Sequence, residues 1–300
     1  MVAGEDPPDG HDAVLPGLRL IMLPSDAIMT TTKDAKELAY LYDLFIVPGW
    51  REVFDRLVDD ELKIPGKIRV LDAGCGTGGF AVDLAAKLGA DSEIIGVDES
   101  DERLALARGK AEMQKLSNIE FLHGSPAATA QADNAFDLVV GDATMTPPEQ
   151  IRSVLTELVR VARPGGTIVL KLTTRGSFDE FFSIYWEALH DTGHDDLTPQ
   201  LESLITERLT ISDAETLAKK AGLHRVRCVT RKERFDYADA AAFFSAPLIE
   251  SSFLDHWMAI VPNEADVRQV SQKLHTIIDR EREQMDFDVS IKATLVMGQK

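Results

Sequence analysis

One stretch constrains this chain more than any other: Val70-Leu71-Asp72-Ala73-Gly74-Cys75-Gly76-Thr77-Gly78-Gly79-Phe80. Ile68, Val70 and Leu71 form an apolar run that ends in an acid, and glycine-rich sequence then leads into a helical pattern. This order predicts a buried strand, a tight turn and the first turn of a helix. Glycines at such a turn let the backbone approach a ligand closely, and a helix N-terminus presents free N–H groups to polar or anionic atoms. Gly74, Gly76 and Gly78 fit G-x-G-x-G, while Gly74, Gly76 and Gly79 fit G-x-G-x-x-G. The glycines alone therefore leave two kinds of nucleotide site open.

The acid separates them. Asp72 stands two residues before the first glycine, at the carboxyl end of the predicted strand. Its carboxylate would repel the diphosphate that nicotinamide and flavin sites lay over such a turn, but would attract an ammonium group. The methionine part of S-adenosyl-L-methionine carries an α-ammonium and a sulfonium. With VLDAGCGTGGF as its first motif, the chain resembles the class I S-adenosylmethionine-dependent methyltransferases of the small-molecule type.

That resemblance implies an α/β fold, a Rossmann-like seven-stranded, mostly parallel sheet with helices on both faces. It implies S-adenosyl-L-methionine as methyl donor and a small molecule as acceptor, through an O, N or C atom. It places Asp72 on the donor's amino group and the turn Gly74, Cys75, Gly76, Thr77 and Gly78 along the methionine moiety. Asp98 would bind the ribose, while Glu99 and Ser125 would fall at the adenine, where the family often has an apolar residue and an acid. Gly141 completes the cofactor-binding set. The N-terminal helices would cover the donor, with Tyr42 or Tyr40 reaching its carboxylate end.

The chain around the motif reads as repeated strand–helix units. A helix through Phe80, Leu84 and Leu88 closes at Gly89, and Glu93–Asp98 is a second strand. Asp98 lies 19 residues past Gly79, where an acid accepts ribose hydroxyls in either kind of nucleotide site. Ser100 or Asp101 caps the next helix. Strands three, four and five are Ile119–His123, Phe136–Val140 and Thr167–Leu172, the last two separated by a helix with apolar positions 151, 154, 155, 158 and 159. Such units imply a parallel sheet with right-handed crossovers. A ligand then sits at the strands' carboxyl ends, where Asp72, Asp98, Ser125 and Asp142 all fall.

The flanks divide the chain further. Residues 1–30 read as a flexible arm and 31–66 as N-terminal helices, with Thr32 as a cap and a stop near Pro48. The core spans 67–235, a helical insertion 236–286, and the last core strand 287–300. Within the second half, Phe178–Trp186 is an aromatic stripe suited to a core or to an acceptor pocket, Ser212 and Glu215 form a capping box, and Asn263 caps the last helix.

Charge narrows the partners. The net charge is −18, which disfavours nucleic acid and anionic membranes. No N-P-P-[YF] stretch follows strand four, where amino-directed base methylases carry one. Two cysteines, Cys75 and Cys228, fit a reducing cytoplasm and give no disulfide framework. The acidic, proline-containing start does not resemble a signal peptide, and no apolar run reaches the ~20 residues of a membrane span. A homodimer is left open. Asp142 is the candidate general base by topology, with helix capping as its other reading. His190 and His194 read as a polar loop rather than a metal site. The basic stretch 219–234 is a solvated edge or a dock for an anion. The rival functions are a nicotinamide-dependent oxidoreductase and a non-catalytic donor-binding subunit.

Overall fold

Each apolar run between turn residues becomes a strand. In the computed structural model, which describes residues 34–284 and 287–300, these are β1 (Arg69–Ala73), β2 (Glu93–Asp98), β3 (Ile119–His123), β4 (Phe136–Asp142), β5 (Ala162–Thr173), β6 (His224–Asp236) and β7 (Asp288–Gln299). They form one seven-stranded sheet in the order β3-β2-β1-β4-β5-β7-β6. β1 to β5 pair in parallel, and β7 enters antiparallel between β5 and β6. The order reverses between β1 and β4, and that switch point opens a crevice at the strands' carboxyl ends. Asp72 pairs with Val140 across it, and Ala73 with Gly141.

Both faces of the sheet are covered, which is why its central strands are apolar throughout rather than alternating. On one face Leu71, Val139, Ile168 and Leu170 pack with Val154, Leu155 and Leu158 of the helix Ile151–Val161 and Ala214 and Ala218 of the helix Ile211–Lys220. On the other, Val70, Ile94, Val140 and Val169 meet Leu57, Phe80, Leu84, Leu104 and Ala107 from three helices. A third apolar cluster lies among the helices beyond β5. Phe178, Phe181, Tyr185, Phe243, Phe253 and Trp257 pack there with Trp50 and with Val289 and Ile291 of β7. The aromatic stripe is thus core, apart from the exposed Trp186.

The N-terminal helix does not stop at Pro48. The helix Ala35–Leu41 runs into a π-helical stretch, Tyr42–Arg51, and on into the helix Glu52–Glu61. Proline lacks an N–H and its ring clashes with the carbonyl four residues back in α geometry. The wider π turn accommodates it, with Glu52 N–H reaching the Val47 carbonyl. The helix is capped by Asp34, whose side chain accepts from Glu37 N–H at 2.7 Å; Thr32 and the expected arm lie outside the described residues. The capping box is formed by Thr210 and Asp213, not by Ser212 and Glu215. Ser212 is already inside that helix, and Glu215 pairs instead with Lys219 one turn on. Ser100 and Asn263 do cap their helices.

Candidate active site at the β1–β4 crevice

The glycine turn is drawn onto β2 by two amides. Gly74 and Cys75 N–H both donate to the Val97 carbonyl, at 2.7 and 2.9 Å. Gly76 then takes a positive φ of 57° and donates its N–H to Asp98 Oδ2 at 2.8 Å. Any Cβ at Gly76 would sit 3.1 Å from the Tyr42 ring, so the tyrosine lies directly on the turn. Gly78, at φ 76°, starts the next helix, and a Cβ there would come within 2.7 Å of Ala107. That lets helix and sheet approach at the turn.

Asp98 is nearly fully used by the protein itself. Its Oδ1 accepts from Ser100 N–H at 3.0 Å and pairs with Arg103 Nη2 at 3.0 Å. Arg103 also stands over the Tyr42 ring, 5.0 Å from its centre.

A cluster of buried charges lies under the crevice. Asp72 is fully buried and neither of its oxygens has a hydrogen-bond partner. Burial pushes its pKa up to about 6, against the pull of Lys171 and Arg51. Lys171 is itself fully buried, pairs with Asp55 and stands over the Phe80 ring. Burial works against its charge, yet Asp55, Asp72 and Asp142 hold its pKa above the ordinary lysine value. Burial likewise disfavours the Asp142 anion, but Arg51, Lys171 and the Thr144 hydrogen bonds prevail and hold it below the usual carboxylate range. Arg51 Nε pairs with Asp142 Oδ2 at 3.2 Å, while Asp142 Oδ1 accepts from the Thr144 hydroxyl at 2.7 Å.

A cavity of about 240 Å³ opens above these groups, lined among others by Tyr42, Arg51, Gly74, Asp98, Ser125 and Asp142. A second, of about 340 Å³, adjoins it through the shared residues Tyr42, Arg103 and Met145. Its walls are largely apolar, with Leu38, Ala39, Ile46 and Pro247 among them and Ser251 and Ser252 at one side.

Residues 65–203 match the sequence model of a family described as a methyltransferase domain. Over that stretch the chain matches a methyltransferase domain. Among curated proteins, a demethylmenaquinone methyltransferase of Shouchella clausii is 34% identical over 127 residues, 42% of this chain and 54% of that protein. One of the same name from Bacillus mycoides is 33% identical over 128 residues, 42% of this chain and 52% of that one. The chain spans about half the length of the curated relatives it matches. Among solved structures, the YcgJ protein of Bacillus subtilis aligns with a TM-score of 0.55 at 18% identity, covering 83% of this chain and 98% of that one. A Haemonchus contortus phosphoethanolamine N-methyltransferase 2, solved with S-adenosylhomocysteine, aligns at 0.52 and 17% identity, covering 90% and 59%. Both structural likenesses concern the fold.

The fold brings together some of the expected site residues and separates others. Tyr42, Gly74, Asp98, Glu99, Ser125 and Asp142 share the walls of the first cavity. Tyr40, the other tyrosine considered, is 46% exposed. Asp72 lies outside that lining, in the buried charge cluster. Cys75 packs in the sheet–helix core. Thr77 donates to Asp43 Oδ1 at 2.5 Å, and Lys110 pairs with the same carboxylate, so Thr77 ties the N-terminal helices to the turn. Gly141 makes room for Leu158, whose Cδ1 would lie 2.4 Å from a Cβ there.

Arg51, Arg103, Lys171 and Thr144 join the site without belonging to any motif of the sequence. Lys171 carried a signal, as the lone charge inside the apolar run Thr167–Leu172. Arg51 carried a weaker one, on a helix whose stripe is otherwise Trp50, Val53, Phe54 and Leu57. The basic stretch 219–234 is largely neutralised by neighbours: Arg227 pairs with Glu61, Arg231 with Asp60, Lys232 with Glu180 and Arg234 with Asp288. His190 is exposed and pairs with Asp195.

Proposed function

We propose that this chain transfers a methyl group from S-adenosylmethionine to a small-molecule acceptor, with the donor in the 240 Å³ cavity and the acceptor entering through its 340 Å³ neighbour. The observation that carries this reading is the convergence of Asp72, Asp98 and Asp142 at the carboxyl ends of β1, β2 and β4 around a glycine turn. The residues fit the donor. The two buried oxygens of Asp72, neither of which has a hydrogen-bond partner, give the cluster under the crevice a need for positive charge. Asp98 with Glu99 and Ser125 offers acceptors to a nucleoside. Asp142, Asp72 and Asp55 together outnumber Lys171 and Arg51, so a cationic ligand balances the cluster.

When bound, the donor supplies a methyl group already activated by its sulfonium. The chain's own work is to position the two ligands and exclude water. Tyr42 on the glycine turn and the Asp43–Thr77–Lys110 contacts hold the N-terminal helices over the cavity. Trp50 Nε1 donates to Thr144 Oγ1 at 3.0 Å, and Thr144 in turn bonds Asp142, which fixes that carboxylate. With its pKa held low, Asp142 is a weak proton acceptor, and its role here is to orient a cation rather than to serve as general base. The apolar neighbour cavity suits an acceptor with a hydrophobic body. The methyltransferase match spans residues 65–203 and leaves out the N-terminal and inserted segments that wall that cavity, so it carries no acceptor identity.

Among the described residues no helix is long and apolar enough to cross a membrane. A cytoplasmic location belongs to the same proposal. So does the division into N-terminal cover (31–66), core (67–235), insertion (236–286) and last strand (287–300). Calorimetric titration with S-adenosylhomocysteine and with NADH tests the donor: the reading expects binding of the first and not the second. A donor-release assay across a metabolite panel then tests transfer, and turnover with no member of a broad panel favours a non-catalytic donor-binding subunit.

A further inference from the structure

The two cavities share Tyr42, Arg103 and Met145 as wall residues, so a methyl group passed from one to the other moves beside them. Arg103 is the charged member of the three, and two contacts place its guanidinium. It stands over the Tyr42 ring, 5.0 Å from the centre, and Nη2 reaches Asp98 Oδ1 at 3.0 Å. A guanidinium carries five N–H donors, so one carboxylate oxygen leaves others for a ligand. The acids nearby are committed to other groups. Asp98, Glu99 and Asp142 line the first cavity and not the second. Asp142 pairs with Arg51 and bonds Thr144, while Asp98 also accepts from Gly76 and Ser100. Among the described residues, the second cavity's charged wall residues are Arg103 and Glu250, and it has no histidine or lysine.

We propose that the acceptor is an acidic hydroxyl compound, a phenol or enol on an apolar body, bound as its oxyanion against Arg103. This rests on the donor reading above and names the substrate class of the same site. At the shared wall a sulfonium would meet a side chain that is already cationic. An amine acceptor would keep the transferred positive charge on its nitrogen, beside the guanidinium, whereas an oxyanion cancels it. A guanidinium at hydrogen-bond distance also favours the ionised form of a hydroxyl. The proton leaves to solvent on binding. An oxygen electron pair then forms the bond to the methyl carbon, and the carbon–sulfur pair stays with sulfur. The products are a neutral ether and a neutral thioether. A nucleophile that arrives ionised needs no general base, in keeping with an Asp142 held low by Arg51, Lys171 and Thr144 against its burial. Leu38, Ile46 and Pro247 suit the apolar body.

The probes are 7-hydroxycoumarin and 7-aminocoumarin, which share one apolar frame and differ in the reacting group. Each is titrated into the S-adenosylhomocysteine-saturated protein, and absorption of the hydroxycoumarin anion is followed against pH. The wild type should lower that probe's pKa by about one unit or more, which means binding the anion about tenfold more tightly than the neutral form. In Arg103→Met the shift should vanish while affinity for the amine changes little, and Arg103→Lys should restore part of it. An unshifted or raised pKa in the wild type overturns the proposal, as does a shift that survives Arg103→Met or binding of neither probe. Tighter binding of the amine, lost in Glu250→Gln, assigns an amine acceptor and overturns it too. Thermal melts and S-adenosylhomocysteine titrations of each variant separate loss of fold or donor from loss of acceptor. If the wild type does not bind S-adenosylhomocysteine, the donor reading fails first.

Discussion

Trp50 and Thr144 are joined by a 3.0 Å hydrogen bond between the buried indole N–H and the threonine hydroxyl, across 94 residues of sequence. This bond links the N-terminal helices to the loop after β4. Through it, the position of Asp142 depends on a helix that lies outside the glycine motif altogether. The site is therefore assembled from two parts of the chain.

Asp98 is the residue on which the nucleoside end of the proposed donor depends. Replacing it with alanine should weaken S-adenosylhomocysteine binding by about 1.5–3 kcal/mol, the scale of lost charge-assisted hydrogen bonds. Calorimetric titration reads this directly. An unchanged Kd removes Asp98 from the site.

Gly78→Ala should destabilise the fold by about 2–4 kcal/mol, combining left-handed backbone strain with overpacking. At φ 76° its new Cβ would lie 2.7 Å from Ala107 Cβ and 2.9 Å from the Phe121 ring, and Ala107 has no rotamer with which to move aside. Urea denaturation midpoints give the comparison.

Lys171→Met removes a cation buried among Asp55, Asp72 and Asp142. Losing one partner of a buried charge set costs about 3–5 kcal/mol. The loss should be larger at pH 8 than near pH 4.5, because at the lower pH the folded chain can keep Asp72 protonated. Denaturation at both pH values checks magnitude and sign.

Asp72 should impress a pH dependence on stability. Its carboxyl titrates at about 6 when folded, against an ordinary 3.8. Between those values the unfolded chain has released a proton that the folded chain still holds, so stability falls as pH rises and stays lower above pH 6. The drop is about 3 kcal/mol at most. Asp72→Asn should lack this descending leg in denaturation curves taken between pH 4 and pH 7, whatever its overall offset.

Much of the fold was legible because local patterns coincide with tertiary need. The central parallel strands β1, β2, β4 and β5 are largely apolar on both faces, so each announces itself as a run between turn residues. The acids at 72, 98 and 142 stand where those runs end. The N-terminal helix passes through Pro48, where the sequence pattern predicts a stop, because a proline breaks α geometry and a wide turn evades that rule. The capping box lies two residues earlier than Ser212–Glu215, at Thr210–Asp213, in a helix that buries Ala214 and Ala218.

What the sequence by itself determined is the glycine turn, the acids at the strand ends and the alternation that makes a parallel sheet, because all three depend on neighbours within a few residues. What only the tertiary structure decided is who faces those acids. Arg51 comes from a helix before the motif and Lys171 from the middle of β5. Their charges meet the acids only because strand order reverses between β1 and β4, which brings distant residues into one poorly hydrated space. There, Coulomb forces acting through space outweigh position in the chain.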